Sequence, residues 1–159
     1  MIRFLSGKVM ECDESGFVIN CNGVGYYVYS FDKVYGNCDV HIVTIFNEGF
    51  KLYGFVKKED REFFLKVIKV KGVGPVTALR VVGSNELEDL TLNSILKVPG
   101  VGEKTALNIY NTFNSNQNTK IIKVLVELGY EKSLVLNNLK KINLNQKEEK
   151  IIQEFIKIT

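Results

Sequence analysis

The sequence predicts a multidomain α+β chain: a small β-barrel over residues 1–56, a helical domain over 57–113, a short linker at 114–118 and a three-helix unit over 119–159. Three observations carry that prediction. The first 55 residues alternate or cluster β-branched and aromatic side chains between turn signals, which is strand patterning. At Lys57 the apolar period lengthens to about 3.6, which is helix patterning. A phrase, Gly-Val-Gly followed by Thr-Ala-Leu, occurs twice at a spacing of 28 residues, marking a duplicated supersecondary unit.

The strand segments are RFLSGKVMEC, GFVINCN, GYYVYSF, DVHIVTIF and FKLYGF, separated by DES, NGVG, YGN and NEG. Five short strands in this length suit a closed or nearly closed barrel, of which the OB-fold is a common form. His41, the lone histidine, falls inside a strand segment and is expected to be structural. The helical domain opens on KKEDREFFLKVIKV, with Phe63, Phe64, Val67, Ile68 and Val70 on one face, and continues as short helices broken by glycines. NSNQN (114–118) is polar and lacks an apolar anchor, so it reads as a linker or helix-ending loop. TKIIKVLVELGY, EKSLVLNNLKKI and QKEEKIIQEFIKI then show helical periodicity, with Gly129 placed as a C-cap.

Bulk properties exclude several classes. No apolar run approaches a membrane-spanning length, and MIRFLSGKVMECDE turns acidic too soon for a secretory signal, so a cytoplasmic setting is expected. Cys12, Cys21 and Cys38 show no C-x-x-C spacing, and no metal site or cofactor is expected. Net charge is only +3, and it is unevenly spread. Residues 1–55 hold four Lys/Arg against six Asp/Glu, 56–113 nine against seven, and 114–159 eight against five. That field is too weak to argue nucleic-acid binding by itself, so the case must come from local geometry.

Gly-Val-Gly occurs three times. At 23–25 it precedes Tyr26-Tyr27-Val28-Tyr29 and is expected to form a strand turn or bulge. The other copies, Gly72, Val73 and Gly74 with Thr77, and Gly100, Val101 and Gly102 with Lys104 and Thr105, precede helical runs. A helix, a tight glycine hairpin and a second helix leave the main chain open to a ligand. The second helix offers unpaired N–H groups and the positive end of its dipole, a phosphate-oxygen site that needs no large charge. The spacing excludes a P-loop, and there is no G-x-G-x-x-G fingerprint. One such hairpin would be explained as well by capping in a packed core. Two in register favour a grip on successive phosphates of a duplex, contacts that position without reading sequence.

NGVGYYVY, LYGF, VKGVGPVTAL, VPGVGEKTA and LVELGY occur in an order that resembles the RuvA family of Holliday-junction branch-migration proteins. The resemblance covers essentially the whole chain and implies an OB-like barrel, tandem helix-hairpin-helix motifs and a three-helix, UBA-like domain. It further implies a non-catalytic homotetramer, or a stacked octamer, holding four-way junction DNA open in recombination, DNA repair and the SOS response. The partners implied are the RuvB ATPase motor and the RuvC resolvase, with Leu125, Leu128, Gly129 and Tyr130 matching the motor-binding segment. The chain also departs from the family. The loop FNEGF offers only Glu48 where an acidic pin usually carries adjacent carboxylates. Val76 and Glu103 stand where the family often has lysine, so weaker or more salt-sensitive DNA binding is expected unless other lysines compensate.

Rival functions follow from the same residues. A helix-hairpin-helix glycosylase or lyase uses a lysine at the place of Lys104 with an aspartate farther along, but the last aspartate here is Asp89, upstream. A metal-dependent nuclease would need converging carboxylates, and Glu11, Asp13 and Glu14 straddle a strand end and turn. A duplex-DNA scaffold without junction preference would use the same hairpins.

Overall fold

A computed structural model describes residues 1–159 except 47, 48, 87, 88, 143–145 and 147, with backbone only at 115–118. The strands β1 (Phe4–Cys12), β2 (Gly16–Cys21), β3 (Val24–Tyr29), β4 (Asn37–Phe46) and β5 (Phe50–Phe55) close a barrel in the order β1-β2-β3-β5-β4. Every pairing is antiparallel except β3 with β5, which meet at the single parallel pair Tyr29↔Tyr53. The β2–β3 turn places Asn22 and Gly23 at φ of 52° and 92°, so the first Gly-Val-Gly starts as a hairpin turn. Leu5, Phe17, Ile19, Val28, Val40, Ile42 and Leu52 fill the barrel interior, as the strand alternation requires.

The helices are α1 (Lys58–Val67), α2 (Pro75–Ser84), α3 (Leu92–Leu96), α4 (Glu103–Glu127), α5 (Lys132–Leu139) and α6 (Glu148–Ile158). α1 buries Phe63, Phe64 and Val67 against the outside of the barrel. Phe64 stacks on Tyr53 at 5.4 Å and tilts against Phe55 at 5.1 Å, while the Arg61 Nε donates to the Ile42 carbonyl at 3.1 Å. Phe31 lies over Gly83 of α2, where a Cβ would meet the ring at 2.8 Å. Val43, Tyr53 and Phe55 therefore belong to the same core as the helices up to Phe113. The strand and helical domains share packing across residue 56.

The loop expected at 114–118 is not observed. Its backbone is helical and lies within α4, which runs without a break from Glu103 to Glu127. A helix held by packing at both ends needs no apolar anchor in between, so polar composition there does not exclude helix. The tail helix expected from TKIIKVLVELGY is thus the carboxyl half of α4. Ile121 and Leu125 from that half pack with Val135, Leu139, Ile142, Ile151 and Phe155 in a separate apolar cluster. α4 ends at Gly129 (φ 98°), where the Tyr130 N–H donates to the Leu125 carbonyl at 3.1 Å in a Schellman-type cap.

Candidate nucleic-acid interface

The two glycine hairpins are built alike, residue for residue, at the 28-residue offset. Gly72 and Gly100 turn at φ of 87° and 85°. The Val73 and Val101 amides each donate at 3.1 Å, to the carbonyls of Val70 and Val98. Gly74 and Gly102 are the N-caps of α2 and α4, with φ, ψ of −90°, 171° and −83°, 166°. Their carbonyls accept from Ala78 and Ala106 at 2.9 Å. Val70 and Val98, Val73 and Val101, and Ala78 and Ala106 are buried in matching pairs. The two caps have no side-chain hydrogen bond, and a Cβ at Gly74 or Gly102 would meet nothing within 4 Å. Each helix therefore begins with orphan amides beside an open surface, the geometry that holds anionic oxygen.

The two grips are unequal. Pro75 at the start of α2 brings no N–H, so that helix has one donor fewer, but its first turn carries no carboxylate. α4 presents the exposed Lys104, with Glu103 beside it as an opposing charge. Thr77 and Thr105 sit half-buried at matching places in the two first turns. The hairpins also lean on one another: the Cβ position of Gly72 lies 3.7 Å from Thr105 Oγ1, and that of Gly100 lies 3.4 Å from Arg80 Nη1. Arg80 donates to the Pro99 carbonyl at 3.3 Å, placing a guanidinium from the first unit against the second turn. Sequence reading missed Arg80 because its counterpart 28 residues on is Asn108, so the repeat does not mark it. Exposed Lys69 and Lys97 precede the two turns at the same offset, a signal the repeat did contain.

Comparison with known families gives two adjoining matches. Residues 1–54 match the RuvA N terminal domain, and residues 64–115 match the SAM-like Helix-hairpin-helix tandem. Over about half its length the chain is similar to RuvA proteins. Several curated proteins, each named Holliday junction branch migration complex subunit RuvA, align with it. That of Lactobacillus johnsonii is 33% identical over 95 residues, covering 57% of this chain and 50% of its own. That of Pediococcus pentosaceus is 38% identical over 96 residues, covering 54% and 47%. That of Bacteroides fragilis is 35% identical over 91 residues, covering 53% and 45%. The aligned part of the chain spans about half the length of these RuvA proteins.

The remaining residues singled out for their RuvA resemblance fall in different settings. Val73 and Val101 point inward, so anything they offer a ligand is backbone. Leu125 is fully buried and Leu128 is 62% exposed, one turn-end apart on α4. Gly129 caps that helix and Tyr130 packs edge-on against Phe155 at 5.2 Å. Glu48 lies outside the described residues. Asp13 accepts from the Ser15 and Gly16 amides at 2.7 and 2.9 Å and from the Tyr27 hydroxyl at 2.9 Å. The Ser15 amide first, then Tyr27, hold its carboxyl below the usual range, which makes it a turn-building carboxylate. Among the described residues no group of three or more His, Cys, Asp or Glu is arranged to hold a metal ion. His41 packs edge-on against Phe4 at 5.8 Å, a structural placement.

Proposed function

We propose that the chain is a non-catalytic Holliday-junction-binding subunit of a RuvAB-type branch-migration complex, serving homologous recombination, DNA repair and the SOS response in the cytoplasm. The observation that carries this reading is the pair of matched hairpins, whose open N-caps and orphan amides suit two successive stretches of phosphate backbone. Residues 72–74 with Thr77, and 100–102 with Lys104 and Thr105, grip the arms of the junction. Arg80, Lys69 and Lys97 add cations where Val76 and Glu103 supply none. The barrel, residues 1–56, forms the centre of a homotetramer, alone or stacked as an octamer, with Glu48 as its acidic pin. Residues 119–159 form a UBA-like domain that docks the RuvB ATPase, presenting Leu128 and Tyr130 over the buried Leu125. The helical stretch at 114–118 connects that domain to the hairpins. RuvC resolvase acts on the same junction. The full chain, mixed with a four-way junction and with linear duplex of equal length, tests the reading by gel shift and by mass in solution. A strong preference for the junction, with four chains bound to each, is expected; equal affinity for the two DNAs rules the reading out.

A further inference from the structure

The barrel closes incompletely between β3 and β5. Their single pair, Tyr29↔Tyr53, is reinforced by the Ser30 hydroxyl donating to the Gly54 carbonyl at 2.8 Å. Beyond that point, toward Gly25 on one strand and Phe50 on the other, the strands part. They leave a cavity of about 420 Å³ whose lining includes Tyr26, Tyr27, Tyr29, Phe50, Lys51 and Leu52. Its volume falls in the range of about 300–1,000 Å³ usual for small-ligand sites.

The walls of this seam are aromatic and fixed. Tyr27 meets Tyr29 edge-on at 5.0 Å, Tyr29 stacks on Tyr53 at 5.4 Å, and Tyr53 stacks on Phe64 of α1. Tyr29 is thus tied, along the outer face of the barrel, to the core shared with α1. Phe50 is 52% exposed and tilts against Phe46 at 5.3 Å, which holds its ring at the surface. Lys51 Nζ sits 5.9 Å from the Tyr29 ring centre, and Lys33 reaches the Asp13 carbonyl beside Tyr27. Burial, then Asp13, pushes the Tyr27 phenol up to about 12, so it stays neutral beside an anion. A flat ring with an attached phosphate matches both the aromatic walls and the exposed Lys51.

We propose that the β3–β5 seam is a stacking site for unpaired nucleobases of a single DNA strand, with Tyr27, Tyr29 and Phe50 taking base faces and Lys51 the adjoining phosphate. Aromatic platforms with nearby cations bind single strands without sequence preference. The inference draws on the junction reading only for its source of bases: branch migration exchanges pairs, so strands at the crossover are transiently open.

The test measures fluorescence anisotropy of a labelled oligothymidine with the full chain. The Phe50→Ala, Lys51→Ala double variant is expected to weaken binding about tenfold or more, while Phe50→Tyr, which keeps the ring, binds like the wild type. An iodouracil-substituted strand is expected to crosslink to peptides containing Tyr27 or Phe50. Unchanged affinity in the double variant overturns the proposal. So does loss of single-strand binding on Gly74→Val, Gly102→Val instead, because the hairpins would then be the site. A change of mass without DNA in Phe50→Ala, with no crosslink in the wild type, overturns it in favour of a second copy covering the seam. Oligothymidine binding that depends on Phe50 and Lys51 in a chain with no junction preference upholds the seam and removes only the junction reading.

Discussion

At Gly72 and Gly100 the backbone turns through φ of 87° and 85°, whereas Gly74 and Gly102, two residues on, have ordinary φ of −90° and −83°. The first pair is needed by the fold, since an L side chain in the left-handed region costs about 1–2 kcal/mol. The second pair is free of that constraint, and a Cβ there meets open space. Gly72→Ala, Gly100→Ala is therefore expected to lower the melting temperature by several degrees. Gly74→Val, Gly102→Val is expected to leave the melting temperature close to that of the wild type while reducing junction affinity at least tenfold, because the new side chains stand where phosphate approaches. Thermal melts and gel shifts on both double variants check this. A Gly74, Gly102 variant that binds junctions normally removes the hairpins from the interface. Lys104 belongs to the same surface: it is exposed on the first turn of α4, with Glu103 beside it, and the proposed reading makes it a phosphate contact.

Among the elements, Gly83 joins what the sequence divided. Phe31 leaves the barrel and lies on α2 at that glycine, and Tyr53 and Phe55 pack on α1. Gly83→Ala forces the ring aside and is expected to destabilise the chain by about 1–3 kcal/mol. Because one core spans both parts, in the chain lacking residues 119–159 tyrosine fluorescence and helical circular dichroism are expected to shift together in a denaturant titration. A shift in one signal alone would show two independent folding units. The strands and α1 were legible because burial on one face imposes a period, and the hairpins because duplication repeats a backbone requirement in glycine. The parallel closure of β3 on β5 was not legible, since it rests on one residue pair between strands that no turn connects. At 114–118 the polar composition suggests a linker or helix-ending loop, whereas the backbone there continues α4 from packed turns on either side. Arg80 acts through a contact that one repeat has and the other lacks, so no periodicity could mark it.

For the whole molecule, charge and packing separate the same two regions. Residues 1–113 hold thirteen Lys/Arg and thirteen Asp/Glu, so the entire excess of +3 lies in residues 114–159. The apolar cluster of Ile121, Leu125, Val135, Leu139, Ile142, Ile151 and Phe155 shares no residue with the core that ends at Phe113. Deleting residues 119–159 thus removes one packed unit and the net positive charge while leaving both hairpins intact. If the hairpins bind through backbone amides and local cations, the truncated chain keeps its junction affinity to within a few-fold at moderate salt. If binding relied on the overall field, affinity would fall steeply, because each lost phosphate contact carries its own salt dependence. ATP-driven branch migration with the RuvB motor is expected to be lost in the same variant, since Leu128 and Tyr130 go with the deleted unit. Gel shifts over a salt series and a migration assay on the same preparation distinguish the cases. Retained binding with lost migration assigns grip to residues 57–113 and motor coupling to 119–159, while unchanged migration would place the motor contact elsewhere on the chain.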